Sequence, residues 1–515
     1  MSAASQASAA GTRRRSAVDV AAVLDLVGAL LKWFALAFLL PVLIAIGYGD
    51  PAWPFLVAGA ATGIAGLLLD RLSPPGEAER LRPREGFLAV ALIWLIVPAF
   101  GALPYLLGGG PQLDRPLDAY FEAVSGFTAT GATVLDDIPA LDHAMLFWRQ
   151  LSHWLGGMGI IILAIAVLPR LRIGGRQLLQ RELPGPTEIE RLTATIRETA
   201  RRLWTLYVGL SLVAILILCV IGWVGLDPAM TPFQAFAHAT SAMALGGFST
   251  KQHSIAAFAP ITQWVLCAVM VLAGVNFLRL HRLIVERRPR LLARDQELRL
   301  YLAFLVIGAV LIAVELFSAS SAPGPGSGIR EASIQAVSIM TTTGFASADY
   351  TLWGPLAIMT LLLLMFVGAS AGSTGGSIKV VRHLLLFRVV RREVRQTIHP
   401  EAVVPIRISG RLIDERAIRS AITFVLLYVL VFALGAIGLL LDARRVGADL
   451  SAFDAIGAAA ACIGNVGPSF GATGPFGSYA GLSDLSTTIL TVLMWLGRIE
   501  IIPVAVVLTR GYWRS

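Results

Sequence analysis

The chain has 515 residues, a mean hydropathy of +0.73 and only 15% charged side chains. Apolar runs of about 20 residues recur along it, the length a helix needs to cross a bilayer, and they exclude a large soluble protein. The formal net charge of +9 is not a nucleic-acid signal, because the cations collect in the connections between apolar runs, as the positive-inside rule expects.

In chain order, spans are predicted near 24–47, 54–72, 86–107, 146–169, 203–226, 256–280, 299–319, 355–389, 417–441 and 484–510. Arg13, Arg14 and Arg15 precede the first span and put the N-terminus on the cytoplasmic side, with no cleavable-signal pattern. Arg71, Arg80, Arg82 and Arg84 follow the second span. Further basic connections run from Arg170 to Arg202, from Arg282 to Arg299 and from Lys379 to Arg419. The alternate connections are poorer in cations, with Arg115, Arg330, Arg444 and Arg445 as exceptions. The first two spans are joined only by the tight turn Tyr48-Gly-Asp-Pro51 and read as a peripheral hairpin. Cys219, Cys267 and Cys462 lie in apolar surroundings without metal-ligand spacing and read as small core residues.

Spans three to ten form four pairs. Within each pair lies a segment too short and too mixed to cross: 117–134, 232–250, 330–348 and 452–470. Each reads as a short helix and a loop. The loops vary one theme: Ser125-Gly-Phe-Thr-Ala-Thr-Gly-Ala132, Ser241-Ala-Met-Ala-Leu-Gly-Gly-Phe248, Ser338-Ile-Met-Thr-Thr-Thr-Gly-Phe345 and Ala461-Cys-Ile-Gly-Asn-Val-Gly-Pro468. The repeat glycines are Gly131, Gly247, Gly344 and Gly467, separated by 116, 97 and 123 positions. Uneven spacing of this kind is what insertions in the connections leave behind. Non-helical backbone at membrane depth is tolerated only inside protein or along a water-filled cavity. Four such loops therefore predict a pore lining that offers backbone carbonyls to a cation.

The fold class expected is an all-α polytopic membrane protein. Four span–re-entrant pore helix–span repeats surround one ion pore in pseudo-fourfold arrangement, with an N-terminal two-helix hairpin outside them. The expected divisions are a basic N-terminus (1–23), the hairpin (24–85) and pore repeats at 86–202, 203–298, 299–416 and 417–515. Two features stand below the loops. The eighth span is interrupted by Gly368-Ala-Ser-Ala-Gly-Ser-Thr-Gly-Gly-Ser377, whose small polar residues predict a broken helix. Lys379 follows Ile378, so this is not a Walker phosphate loop. A close-packed small-residue helix contact is its plainer reading. Arg498 and Glu500 lie inside the last span, where a charge costs about 2.5–3.5 kcal/mol on insertion scales and marks a functional candidate. A structural ion pair is the alternative. The spacing points Glu500 away from Arg498, toward a neighbouring element.

With these motifs, Trp154-Leu-Gly-Gly-Met-Gly159, Glu182-Leu-Pro-Gly-Pro186 and Gly497-Arg-Ile-Glu500, the chain resembles the TrkH-type subunits of the Trk/Ktr/HKT superfamily of potassium transporters. The outer hairpin fits the TrkH branch better than Ktr. The resemblance implies potassium uptake across a bacterial inner membrane through a channel-like pore. Potassium would be held by the backbone carbonyls of Ala129, Thr130 and Gly131; Leu245, Gly246 and Gly247; Thr342, Thr343 and Gly344; and Asn465, Val466 and Gly467. Gly246 and Gly247 compete for one role, and the repeat register favours Gly247. Leu245 and Ser469 depart from the family's usual residues. A gate is implied at Gly368, Gly372, Ser373, Thr374, Gly375 and Gly376, with Arg498 projecting into the pore. The resemblance also implies a homodimer and a cytosolic Trk-type regulatory subunit that binds NAD(H) or ATP. This chain shows no nucleotide motif, and no cofactor is expected in it. Asp136, Asp137 and Asp349 stand near the outer ends of the loops, where they can attract cations or serve as solvated loop residues. His238 and His253 are given no role. A sodium- or proton-coupled symporter is the nearest alternative. A membrane-embedded enzyme is more distant, since the seven histidines form no cluster.

Overall fold

The protein is seen in a computed structural model that describes residues 18–72, 83–166, 189–287, 295–318 and 324–513. The Arg13–Arg15 triplet and the Glu182–Pro186 motif lie outside the described residues. Helix α1 (Val20–Ala35) passes through a short 3-10 turn into α2 (Leu39–Tyr48), and α3 (Trp53–Leu72) runs back. Gly49 makes that reversal in the left-handed region, at φ +80°. Where α1 and α3 meet, a Cβ on Gly28 or on Gly66 would stand 2.9 Å from the other's carbonyl oxygen. Small residues let helix backbones approach this closely, which replaces the hydrophobic drive that lipid cannot supply. Lys32 and Asp70 pair across the same seam at 2.9 Å.

Each of the four loop segments begins as a short helix: α6 (Pro116–Phe127), α9 (Pro232–Ala244), α13 (Pro325–Met340) and α17 (Ala452–Gly464). Before and between them along the chain lie α4 (Pro83–Gly101), α5 (Leu103–Gly108), α7 (His143–Ala166), α8 (Ile189–Trp223), α10 (Pro260–Ala273), α11 (Phe277–Ile284), α12 (Gln296–Ser318), α14 (Pro355–Met365), α15 (Val380–Ile398) and α16 (Glu415–Val446). The four short helices have 12, 13, 16 and 13 residues. At 1.5 Å per residue none reaches the roughly 30 Å of a bilayer core. Proline at the first helical position of α6, α9 and α13 pre-sets the entering backbone. In α9 and α17 the Thr231 and Ser451 hydroxyls accept from the Gln234 and Asp454 amides, satisfying donors that a helix start leaves open.

Six helices among the described residues are long and apolar enough to cross a membrane alone. The prediction of ten spans, one of them interrupted, needs correction in the second span of repeats 2 and 4. Residues 256–280 are not one helix. Helices α10 and α11 meet at 106°, because Gly274 ends α10 and the Asn276 side chain accepts from the Leu278 and Arg279 amides to start α11. Residues 484–510 also break, into α18 (Asp484–Arg498), α19 (Ile502–Val507) and α20 (Arg510–Trp513), with Glu500 and Ile501 at φ +64° and +52°. The interruption expected in 355–389 is present between α14 and α15. One small antiparallel hairpin, β1 (Arg407–Ile408) with β2 (Arg411–Leu412), pairs Arg407 with Leu412 and Ile408 with Arg411. Cys219, Cys267 and Cys462 are buried and unbridged, as read from their apolar context.

The apolar core has two main parts. One is built chiefly from α8 to α14, the other from the hairpin, α4 to α7 and α16 to α18. The four short helices sit between them, and α9 and α17 are buried from near their starts to their ends. A Gly66→Leu substitution should wedge α1 from α3. Overpacking of this kind costs about 1–3 kcal/mol, read as a lower melting temperature of the purified protein. Gly63→Leu should be near neutral, because its Cβ would meet only the Ala35 Cβ at 3.7 Å.

Candidate functional site

The four short helices end in the same way. In each, one residue turns into the left-handed region: Ala129 (φ +49°), Leu245 (+54°), Thr342 (+64°) and Asn465 (+54°). The next amide reaches back to the carbonyl five residues earlier: Thr130 to Ser125 at 2.9 Å, Gly246 to Ser241 at 3.0 Å, Thr343 to Ser338 at 2.8 Å and Val466 to Ala461 at 2.8 Å. The left-handed residue donates to the carbonyl three back, at 2.9, 3.1, 3.1 and 3.2 Å. This is a Schellman ending, which normally uses glycine. Here the glycine comes two residues later: Gly131 (φ +88°), Gly247 (+83°), Gly344 (+83°) and Gly467 (+96°). The competition in loop 2 is thereby resolved. Gly247 is the repeat glycine, and Gly246 occupies the place of Thr130, Thr343 and Val466.

The four glycines identify each loop's neighbour. A Cβ on Gly131 would strike the Gly246 carbonyl oxygen, one on Gly247 the Thr343 oxygen, one on Gly344 the Val466 oxygen, and one on Gly467 the Thr130 oxygen. The series closes on itself, so the four loops form one ring in chain order. Each glycine is required twice, by its dihedral and by the carbonyl of the next loop. A cavity on one side of the ring is bordered by Gly131, Gly247, Gly344 and Pro468, that is, by all four loops. Asp136, Asp137 and Asp349 are not among its lining residues. Asp136 accepts from Ser478, and Asp349 caps the Thr351 amide.

Behind the ring the repeats differ. The Thr128 and Thr130 hydroxyls meet at 2.7 Å, as do those of Thr341 and Thr343. Loop 2 has no such pair, and His153 fills the space instead, 3.1 Å from the Ser241 hydroxyl. Asn465 donates from Nδ2 to the Thr130 hydroxyl and the Met494 carbonyl, each at 2.9 Å, and so ties loop 4 to loop 1. Ser469 is buried, and its amide donates to the Thr473 carbonyl. Sequence spacing gave no role to the residues nine positions before each glycine, Glu122, His238, Gln335 and Ala458, of which only His238 drew notice. Three are polar, buried and bonded to the strand that leaves the loop. Aligning the repeats on their glycines is the signal that finds them. His238, given no role before, donates or accepts at 2.9 Å with the Ser249 hydroxyl.

On the other side lies the segment 366–379 between α14 and α15. Gly368, Gly372 and Ser377 take φ +66°, +73° and +55°. The Gly376 amide donates to the Thr342 hydroxyl at 2.7 Å, and the Thr374 hydroxyl to the Met243 carbonyl at 3.2 Å. A Cβ on Gly376 would strike the Gly464 carbonyl, and one on Gly375 would stand 2.8 Å from the Thr341 carbonyl. The segment thus touches the ends of α9, α13 and α17. The fourth side belongs to Arg498. Its Nη1 donates to the Thr374 carbonyl at 2.9 Å and its Nη2 to the Gly156 carbonyl at 3.2 Å. Gly156 itself packs on the Phe127 carbonyl at the end of α6. Arg498 is 2% exposed, and among the described residues no carboxylate pairs with it. Ser370, Ala371 and Gly372 are held by the α10–α11 bend: Ser370 donates to the Gly274 carbonyl, Asn276 to the Ala371 carbonyl, and Phe277 to the Gly372 carbonyl. Ser373 donates to the Ser370 carbonyl at 2.7 Å. Glu500 turns away and pairs with Arg382 at 2.6 Å.

This architecture has known counterparts. A family model described as the cation transport protein TrkH matches residues 71–511. The chain belongs to the TrkH family. It is 37% identical to the Trk system potassium uptake protein TrkH of Halomonas elongata over 497 residues, covering 96% of this chain and 99% of that one. It is 34% identical to the protein of the same name from Escherichia coli K12 over 498 residues, with 96% and 99% covered. The crystal structure of the potassium transporter TrkH from Vibrio parahaemolyticus superposes with a TM-score of 0.85 at 32% identity, covering 96% of this chain and all of that chain. The chain is accordingly a multi-pass membrane protein of a transporter family, not an enzyme.

Thr342→Val removes the hydroxyl that the Gly376 amide reaches while nearly keeping the side chain's shape. A bond of about 1 kcal/mol is lost, so hydrogen exchange at 373–377 should quicken several-fold. Unchanged exchange would mean that this contact does not hold the segment.

Proposed function

We propose that this chain takes up potassium through a channel-like pore in the bacterial inner membrane. The ring closed by Gly131, Gly247, Gly344 and Gly467 against one another's loops is the observation that carries this reading. The names of the full-length relatives, Trk system potassium uptake proteins, give the ion. In this reading, carbonyls from Ala129 to Gly131, Leu245 to Gly247, Thr342 to Gly344 and Asn465 to Gly467 replace the water around a potassium ion. Carbonyl dipoles serve because they are fixed, uncharged acceptors that bind a cation well enough to dehydrate it and weakly enough to release it. The four helices end at the ring, so their partial negative ends add to the attraction.

Control lies below the ring. Gly368, Gly372, Ser373, Thr374, Gly375 and Gly376 belong to a segment that obstructs the path, and Arg498 adds a like charge. Two unit charges 4 Å apart repel by about 4 kcal/mol at an effective dielectric of 20, enough to make a passing cation rare while the arginine stays in place. Neutral carbonyl partners leave its charge uncancelled. The segment leads directly into α15, whose Arg388, Arg391, Arg392 and Arg395 mark the cytoplasmic side. The N-terminus lies on that side as well. A cytosolic Trk-type subunit that binds NAD(H) or ATP would act on this basic face, and two copies of the chain would pair as a homodimer.

In proteoliposomes, Arg498→Ala should raise rubidium or potassium flux about tenfold or more, and shortening 370–375 should do the same. Unchanged flux in both folded variants would remove the gate. Failure of the parent chain to restore growth of potassium-uptake-deficient cells, with or without its cytosolic partner, would remove the uptake reading itself.

A further inference from the structure

We infer that Glu122 and Arg149 form a buried clamp that sets cation discrimination by positioning loops 1 and 2 from outside the ring. The inference rests on the proposed role of the ring as a potassium filter. Glu122 stands on α6 and Arg149 on α7, both side chains are fully buried, and their charged groups meet at 2.7 Å. The carboxylate also accepts from the Thr133 hydroxyl at 3.0 Å and the Val134 amide at 3.1 Å, just past Gly131. The guanidinium donates onward from Nη1 to the Ser249 carbonyl at 3.1 Å, two residues past Gly247. It lies over the Phe248 ring at 4.0 Å, and that ring also stacks on His153.

One ion pair therefore grips the outgoing strands of two adjacent loops. Loop 2 has a second, uncharged tie, and among the described residues loops 3 and 4 are held by uncharged ties alone. His238 meets the Ser249 hydroxyl at 2.9 Å, Gln335 donates to the Ser347 hydroxyl at 3.4 Å, and in repeat 4 the Tyr479 hydroxyl donates to the Gly467 carbonyl at 2.8 Å. A buried ion pair gains little net stability over apolar packing, because both charges lose their water. What it does supply is direction: five guanidinium donors in a rigid plane, here spent on a carboxylate, a hydroxyl and a carbonyl of two different loops. Discrimination between cations depends on the size and field of the carbonyl cage, so a shift of either strand acts on the ion choice before it acts on the path.

The test is the potassium-to-sodium ratio of purified protein in proteoliposomes, taken with the rate at saturating potassium. Arg149→Lys keeps the charge but loses the fork. Glu122→Gln keeps one acceptor oxygen, which can still serve Thr133 and Val134, but it removes the charge and turns an amide NH2 toward Arg149. Thr133→Val removes the hydroxyl that donates to Glu122 and accepts from Arg149 Nη2, and loosens loop 1 alone. Loss of the charge-assisted fork implies a drop in the ratio of about tenfold for the first two, and about threefold for Thr133→Val, which leaves the pair itself in place. A purely structural role would reduce both ions' flux together and leave the ratio unmoved. If the parent chain discriminates and folded Arg149→Lys and Glu122→Gln proteins keep its ratio, the clamp is overturned. Should those two fail to fold, an unmoved ratio in Thr133→Val overturns it. A parent chain that carries no potassium at all would instead defeat the uptake reading.

Discussion

Everything in this structure follows from one constraint: a backbone amide or carbonyl left unpaired in hydrocarbon costs several kcal/mol. A chain that bends into the membrane and back must therefore hide its turn inside protein. Four such turns in one chain can hide one another. They do so here by placing each repeat glycine against a carbonyl of the next loop. The surrounding spans are then obliged to enclose the ring, and the outer hairpin α1–α3 packs on the outside, where its exposed face reads Leu36, Leu43, Ile46, Ile64 and Leu68.

The four turns share a backbone but not side chains. Each ends its helix on a left-handed residue that is not glycine, at roughly 1–2 kcal/mol apiece. Such strain persists only where surroundings over-determine it. The surroundings differ in each repeat: hydroxyl pairs in loops 1 and 3, an imidazole in loop 2, an amide that crosses from loop 4 to loop 1. Four backbones of like shape are thus joined in one ring while each loop answers to different neighbours.

Contacts below the ring come from parts far apart in sequence. The segment 366–379 covers the ends of three short helices, and Arg498 covers the fourth through Gly156. That segment is itself anchored by the α10–α11 bend, whose existence depends on Gly274 and Asn276. A movement of α11 or α15 would thus be felt at Thr374 and Arg498, and through the Gly376 amide at Thr342.

Hydropathy and the Gly-tipped repeat were legible from residue order because the bilayer imposes one-dimensional rules: span length, cation placement and a glycine wherever the backbone must turn tightly. These rules located the spans, the four short helices, the hairpin and the interruption after α14. They did not reveal the breaks at Gly274 and at Glu500–Ile501. The first lies in an apolar run whose composition still reads as continuous until the Asn276 side chain caps the next helix. The second lies at two charged residues whose partners, the Thr374 and Gly156 carbonyls and Arg382, are distant in sequence. Nor did they reveal Glu122 and Arg149. An acid and a base 27 positions apart carry no local pattern, and they meet because α6 and α7 are folded back on each other around the ring. Residue order alone determined that four loops exist and where each must turn. The tertiary structure decided which loop faces which, which glycine of Gly246 and Gly247 turns, and what holds the ring, because those depend on distances between repeats that sequence spacing does not encode.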